Sequence, residues 1–227
     1  GGINAQLNMA YHGDSHEGKI HSDVIGFYRV KNFEISYLQI NYNGQHLMDY
    51  ICCNDGLISH LDCRTKRSIG IDECHLNDGL HLDRCQDMLI EYSTFASGDD
   101  SLLLGNSYGD VRKDRWSSAN DYQVMKNIEI SHVNTPSYCS GFAFLSLCGT
   151  APELDKVEMR DIYIHDCNFA GVKEWGQNTV WNPDRSMWNG IAMPISNFIW
   201  QNNNAYYAPE GYMHQLCGYF NNIDHIS

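Results

Sequence analysis

Apolar and polar residues alternate in short runs along most of this chain, and the runs repeat. "KNFEISYLQI" (31–40), "NDGLISHLDC" (54–63), "QDMLIEYSTF" (86–95), "KNIEISHVNT" (126–135), "RDIYIHDCNF" (160–169) and "SNFIWQNNNA" (196–205) align without gaps, and "NNIDHIS" begins a seventh copy at 221. Each opens with a polar pair that usually ends in Asn or Asp. Rough alternation follows, as a half-buried strand requires. No long apolar period of 3.6 residues stands out, so helix signals are scarce.

The copies start 23, 32, 40, 34, 36 and 25 residues apart, a size that points to a solenoid or a propeller. Propeller blades need four hairpin-linked strands with tight turns. These intervals instead hold two or three short strands and longer loops. That predicts an all-β parallel β-helix, with the uneven spacing absorbed by loop insertions on one face. A β-sandwich is the competing architecture.

A second strand series falls between the copies: "NDGLHL" (77–82), "DDSLLL" (99–104), "SGFAFLSL" (140–147) and "NGIAMP" (189–194). Stacked in register, these put Asp78 over Asp100, Leu80 over Leu102 and Leu82 over Leu104. The leucines form an internal ladder. Strands stack about 4.8 Å apart, so Asp78 and the Asp99–Asp100 pair become close neighbours. Alternation turns Asp99 outward. Asp78 and Asp100 share the parity of the inward leucines and reach solvent only if the chain bends, which Gly79 and Gly98 permit.

Composition narrows the classes. The chain has 227 residues, 43% of them hydrophobic, enough for one domain spanning 1–227 with a sizeable core. No run of eighteen apolar residues predicts a membrane span. The net charge of −13 argues against nucleic acid, which needs a basic surface. The opening residues lack an initiator Met and an apolar signal core, and the chain stops in a strand-like run. It therefore reads as processed or cut from a longer protein at both ends. The nine cysteines form no CxxC, and no zinc spacing is completed. Those inside strand-like runs read as small buried hydrophobes.

Three clustered carboxylates resist simultaneous ionisation, so at least one should hold its proton more tightly. Such a carboxyl can protonate a leaving oxygen while an ionised neighbour activates water, the division of labour of an inverting glycosidase. Turn-capping aspartates and a calcium site of carboxylate oxygens fit the spacing too.

"NDG" at 77–79 and "GDD" at 98–100 resemble glycoside hydrolase family 28, the polygalacturonase-like enzymes, whose pattern reads Asn-Thr-Asp-Gly, a strand-rich coil, then Gly-Asp-Asp. The likeness spans about residues 25–205 and is densest at 45–105, where "QHLMDYICCNDGLISHLDC" looks like the preceding coil. It implies a right-handed parallel β-helix that hydrolyses polysaccharide with inversion. Asp99 would be the general acid, with Asp78 and Asp100 positioning and deprotonating the water. It implies no organic cofactor and no catalytic metal.

The departures bear on substrate. The family's Asn and Thr become Leu76 and Asn77. Its Gly-His-Gly becomes Gly141-Phe142-Ala143, losing the histidine thought to assist the acid. Its Arg-x-Lys, which grips a sugar carboxylate, falls on Ala192 and Pro194, or, moved to "GVKEW", recovers only Lys173. A loop insertion is expected at 106–123. Its Trp116, with Trp175, Trp181 and Trp188, are candidates for stacking on sugar faces. Substrate contacts are expected from His81, Phe142, Lys173, Arg185 and Trp188.

The expectation is therefore a monomeric, extracellular or periplasmic hydrolase of a poly- or oligosaccharide, binding neither nucleic acid nor membrane. A dextranase or α-1,3-glucanase type of enzyme on the same fold, and a non-catalytic carbohydrate-binding or tailspike-like protein, are the rivals.

Overall fold

In the computed structural model the structure describes residues 2–6, 23–43, 46–65, 78–97, 100–105, 124–136, 141–145, 159–170, 172–175, 195–206 and 223–226. Among these residues there are strands and no helix, and every strand pairing is parallel. The strands form three sheets, each taking essentially every third strand of the chain.

The first sheet stacks β1 (Gly2–Gln6), β4 (Gln39–Asn43), β7 (Asp62–Thr65), β10 (Thr94–Ala96), β13 (Asn134–Thr135), β16 (Asn168–Ala170) and β19 (Asn204–Tyr206). The second stacks β2 (Asp23–Tyr28), β5 (His46–Ile51), β8 (Asp78–Asp83), β11 (Leu102–Gly105), β14 (Phe142–Leu145) and β17 (Val172–Trp175). The third stacks β3 (Lys31–Ser36), β6 (Asn54–Ser59), β9 (Gln86–Glu91), β12 (Met125–Ser131), β15 (Met159–His165), β18 (Ile195–Gln201) and β20 (Ile223–Ile226).

The first halves of the six full repeat copies lie in the third sheet and pair in the register of their alignment, Lys31 on Asn54 and Asn54 on Gln86. The seventh joins the sheet with Asp224, not Asn221, opposite Ser196. Each ten-residue repeat is two strands, because its second half lies in the first sheet.

The bends explain the polar pair. The second repeat position (Asn32, Asp55, Asp87, Asn127, Asp161, Asn197) sits at φ 51–55°, in the left-handed region that Asn and Asp enter at least cost among residues with a side chain. Neighbouring bends are tied by Asn127 Nδ2 donating to Asp87 Oδ1 and Asn197 Nδ2 to Asp161 Oδ1, both at 2.6 Å. The seventh position (Tyr37, His60, Tyr92, His132, Asp166, Asn202) is also left-handed and turns the chain from the third sheet to the first. Its first four rings stack in a column with centroids 4.5–5.2 Å apart.

Inward positions fill one continuous core. Ile58, Ile90, Ile130 and Ile164 stack in the third sheet, and Leu80, Leu82, Leu102 and Leu104 in the second, all wholly buried. Removing such a side chain from water stabilises by roughly 1.5–3 kcal/mol each. Leu80 pairs with Leu102 and Leu82 with Leu104, as the sequence register requires. After β14, however, the second sheet continues with β17 at 172–175; the expected strand at 189–194, like the 106–123 insertion, lies outside the described residues. Five cysteines, 52, 53, 63, 85 and 167, are buried and form no disulfide. Burial pushes the Cys52 and Cys167 thiols up to about 11 and Cys63 up to about 12, so they pack as hydrophobes.

One close approach is glycine-dependent. A Cβ at Gly79 would stand 2.1 Å from the Ser101 carbonyl oxygen, backbone that cannot move aside, whereas one at Gly105 would meet nothing nearer than 3.4 Å. Gly79→Ala should therefore lower stability by about 3 kcal/mol or more, read as a shift in the urea unfolding midpoint. Gly105→Ala should shift it little; equal effects would contradict the β8–β11 contact.

Candidate functional site

The two acidic motifs meet where β8 begins and β11 is about to begin. The Gly79 N–H donates to the Asp100 carbonyl at 2.7 Å and the Leu80 N–H to the Ser101 carbonyl at 2.9 Å. This ladder sets Asp100 beside Asp78, and the Asp100 N–H donates to Asp78 Oδ1 at 3.2 Å. Ser97 Oγ and Ser101 Oγ lie 2.7 Å apart and brace the segment that carries the second motif. Asp78 is partly exposed, whereas Asp100 is buried. Of the two acids that share the leucines' parity, Asp78 thus reaches solvent in part and Asp100 does not. Asp99 and Gly98 lie outside the described residues.

Two groups join Asp78 that motif spacing did not identify as a unit. Asp49, His81 and Leu103 are register partners across β5, β8 and β11, on the face opposite the leucines. His81 Nε2 stands 3.0 Å from Asp78 Oδ2, and its Nδ1 stands 3.1 Å from Asp49 Oδ1. The ring is 3% exposed and Asp49 5%, so the contact is shielded from screening by water. Burial alone pushes the imidazole toward neutrality. The carboxylates of Asp78 and Asp49 outweigh it and raise the His81 pKa to about 10. An imidazolium between two carboxylates offsets their repulsion and fixes the orientation of Asp78. Asp49 was missed, although "HLMDYI" (46–51) and "DGLHLD" (78–83) carry Asp and His at the same strand position.

The remaining candidates separate. His81 holds a carboxylate at each ring nitrogen, so it acts on substrate only through Asp78. Phe142 is wholly buried and its ring packs on Phe169 and Trp200 at 5.4 and 5.8 Å. It stands in the core, away from where a sugar could lie, because it shares the inward parity of the leucine ladder. Lys173 occupies β17, opposite Ala143, in the same row as Asp49, His81 and Leu103. Arg185, Trp116, Trp181 and Trp188 lie outside the described residues. Among the described residues no group of three or more His, Cys, Asp or Glu is arranged to hold a metal ion.

Comparison of the chain with protein-family models, with curated proteins and with solved structures finds no match.

The His81 pair has a pH signature. Its folded pKa, about 10, lies above the ordinary value of 6.5, so its stabilising contribution is fully present below pH about 6.5 and is lost as pH rises toward 10. Unfolding free energy should therefore fall across that window, and Asp49→Asn should flatten the fall. A denaturant series from pH 6 to 10 with no difference between the two proteins would show that His81 is not held as a cation.

Proposed function

We propose that the three sheets are the faces of a right-handed parallel β-helix, and that the chain is an inverting glycoside hydrolase of polygalacturonase-like type acting on a neutral or mostly neutral glycan. The fold reading is supported by the every-third-strand order of parallel sheets. Right-handedness follows the rule that crossovers between parallel strands are right-handed in nearly all cases.

The activity rests on one observation above the others: the Asp100 N–H donates to the Asp78 carboxylate, which places the two acidic motifs side by side. Asp99 adjoins Asp100 in sequence, and a paired acid and water-activating site needs carboxylates close to one another. Asp99 is the proton donor in this reading, and Asp78 with Asp100 holds and deprotonates the water. The lone Lys173 position, with Ala143 beside it in the row, lacks the bidentate Arg that suits a sugar carboxylate. The chain's charge of −13 also repels a polyanion.

A second reading is binding without turnover, in an extracellular setting. It is favoured by the depth of the site, since Asp100 is 6% exposed and Asp78 is already engaged by His81 and the Asp100 amide. Reducing-sugar release from a glycan panel, set against binding by the same panel, separates the two.

Asp99→Asn keeps shape and removes the donor, so turnover should fall by about 10²–10⁴-fold with stability nearly unchanged. Near-normal turnover in that variant would reject the role assignment. On substrates, α-glucans and other neutral glycans should be cleaved faster than polygalacturonate. Robust galacturonate release that disappears in Lys173→Ala would reverse that preference.

A further inference from the structure

Where the chain turns from the second sheet into the third, one column of side chains precedes the repeat strands. Register sets Val30, Cys53, Cys85, Met125, Met159 and Ile195 one above another. Two adjacent coils thus place cysteine on cysteine, where the others carry an aliphatic or thioether side chain. Both cysteines are wholly buried. The backbone around them is fixed, with the Cys52 N–H donating to the Asp83 carbonyl at 2.9 Å and the Gln86 N–H to the Cys53 carbonyl at 3.0 Å. Strands in such a ladder lie about 4.8 Å apart, inside the roughly 4.4–6.8 Å over which a disulfide joins two Cα atoms.

The sulfurs also approach each other. Cys85 Sγ lies 3.2 Å from the Tyr50 carbonyl oxygen in the coil of Cys53, and Cys53 Sγ lies 3.5 Å from the carbonyl oxygen of Ile51, the next residue. The two thiols hydrogen-bond to one another. No other two of the described cysteines stack. Cys63 stands between Ile40 and Phe95, and Cys167 is stacked on Val133.

We propose that Cys53 and Cys85 are a cross-linking site, joined by a disulfide that staples two neighbouring coils in register. The bridge fastens the strand carrying Asp49 to the strand carrying His81, because each cysteine lies four residues beyond its member of that contact. The oxidant is a small-molecule disulfide of the glutathione class. One cysteine, as thiolate, attacks a sulfur of the oxidant, which breaks the oxidant's S–S bond, forms a mixed disulfide and releases one thiolate. The other cysteine then loses its proton and attacks the first, which forms the Cys53–Cys85 bond and expels the second thiolate. Two electrons pass from the cysteine pair to the oxidant, and the two cysteine protons end on the released thiols. Both sulfurs are buried once the coils close, so the exchange runs during folding or while the coils are transiently open.

The test refolds the full chain from urea in a buffer of reduced and oxidised glutathione, and in parallel in dithiothreitol. Remaining thiols are alkylated in denaturant and the peptides are mapped by mass spectrometry without reduction. The oxidised chain should yield Cys53 linked to Cys85, and its urea midpoint should exceed that of the reduced chain by roughly 1 M, because the bond closes a long loop of the unfolded chain. Cys85→Val, which places there the residue that the same column carries at Val30, should leave Cys53 open to alkylation and bring the two midpoints together. Recovery of Cys53 and Cys85 alkylated from the glutathione-refolded chain would overturn the proposal, and this mapping needs no variant to fold. Linkage of Cys53 to Cys52 or Cys63 in place of Cys85 would overturn it too. So would a midpoint that still falls on reduction in Cys85→Val, since the stabilising bond would then lie elsewhere.

Discussion

Almost every described strand finds its backbone hydrogen-bond partners in the strand three places along the chain, and everything else in the molecule follows from keeping that register. The parallel ladder fixes which side chains stack, and it can do so only if the chain turns by the same amount at the same position each time. Left-handed residues perform that turn. Asn or Asp fills one bend in every complete repeat, where their short polar side chains tolerate positive φ and bond to the next bend. The other bend accepts Tyr and His at a steric cost that stacking against the neighbouring ring offsets.

The same register builds the buried charge cluster. Asp49 and His81 meet because β5 and β8 are in register, and Asp78 closes the set because His81 is three residues further along its own strand. A lone imidazolium in this position would be costly to bury, and so would two facing carboxylates. Together they form a net single negative charge with fixed geometry, which is a stable way to hold one carboxylate oriented in a dry site. Arg84 repeats the theme at the adjoining bend, where a fully buried guanidinium lies 3.5 Å from Asp83. Both clusters sit on the stretch 78–84.

What the sequence disclosed was set by how strictly each position is constrained. The third sheet was legible because the second repeat position demands Asn or Asp and the fifth demands a large apolar residue, so six copies aligned in their true register. The first sheet was hidden inside the same repeats, since its bend position varies among Tyr, His, Asp and Asn. The seventh copy slipped by three residues because "NNIDHIS" offers asparagines where the bend was expected, while the strand register sets Ile226 opposite Phe198. The short strand at 172–175 that follows β14 in the second sheet was not anticipated, since four residues offer too little alternation to stand out. The acids of the site were visible as motifs. Their histidine clamp was not, because its two halves are 32 residues apart and only the strand register joins them.

Register also dictates which aromatic residues are available to a ligand. Sugars stack on ring faces, and a column of Tyr37, His60, Tyr92 and His132 spaced at 4.5–5.2 Å occupies its own faces, leaving edges to solvent. The column therefore stabilises the bends but is a poor sugar platform, despite Tyr37 and Tyr92 being the exposed large aromatics among the described residues. The two outer faces are thereby divided. On the second sheet, charges are buried and neutralised by one another, which suits acid–base chemistry in a site shielded from water. On the third sheet, outward carboxylates are exposed or meet partners at the surface, as Glu129 meets His165 at 3.3 Å. A single repeating backbone supports both because outward positions, unlike inward ones, are free to differ from strand to strand.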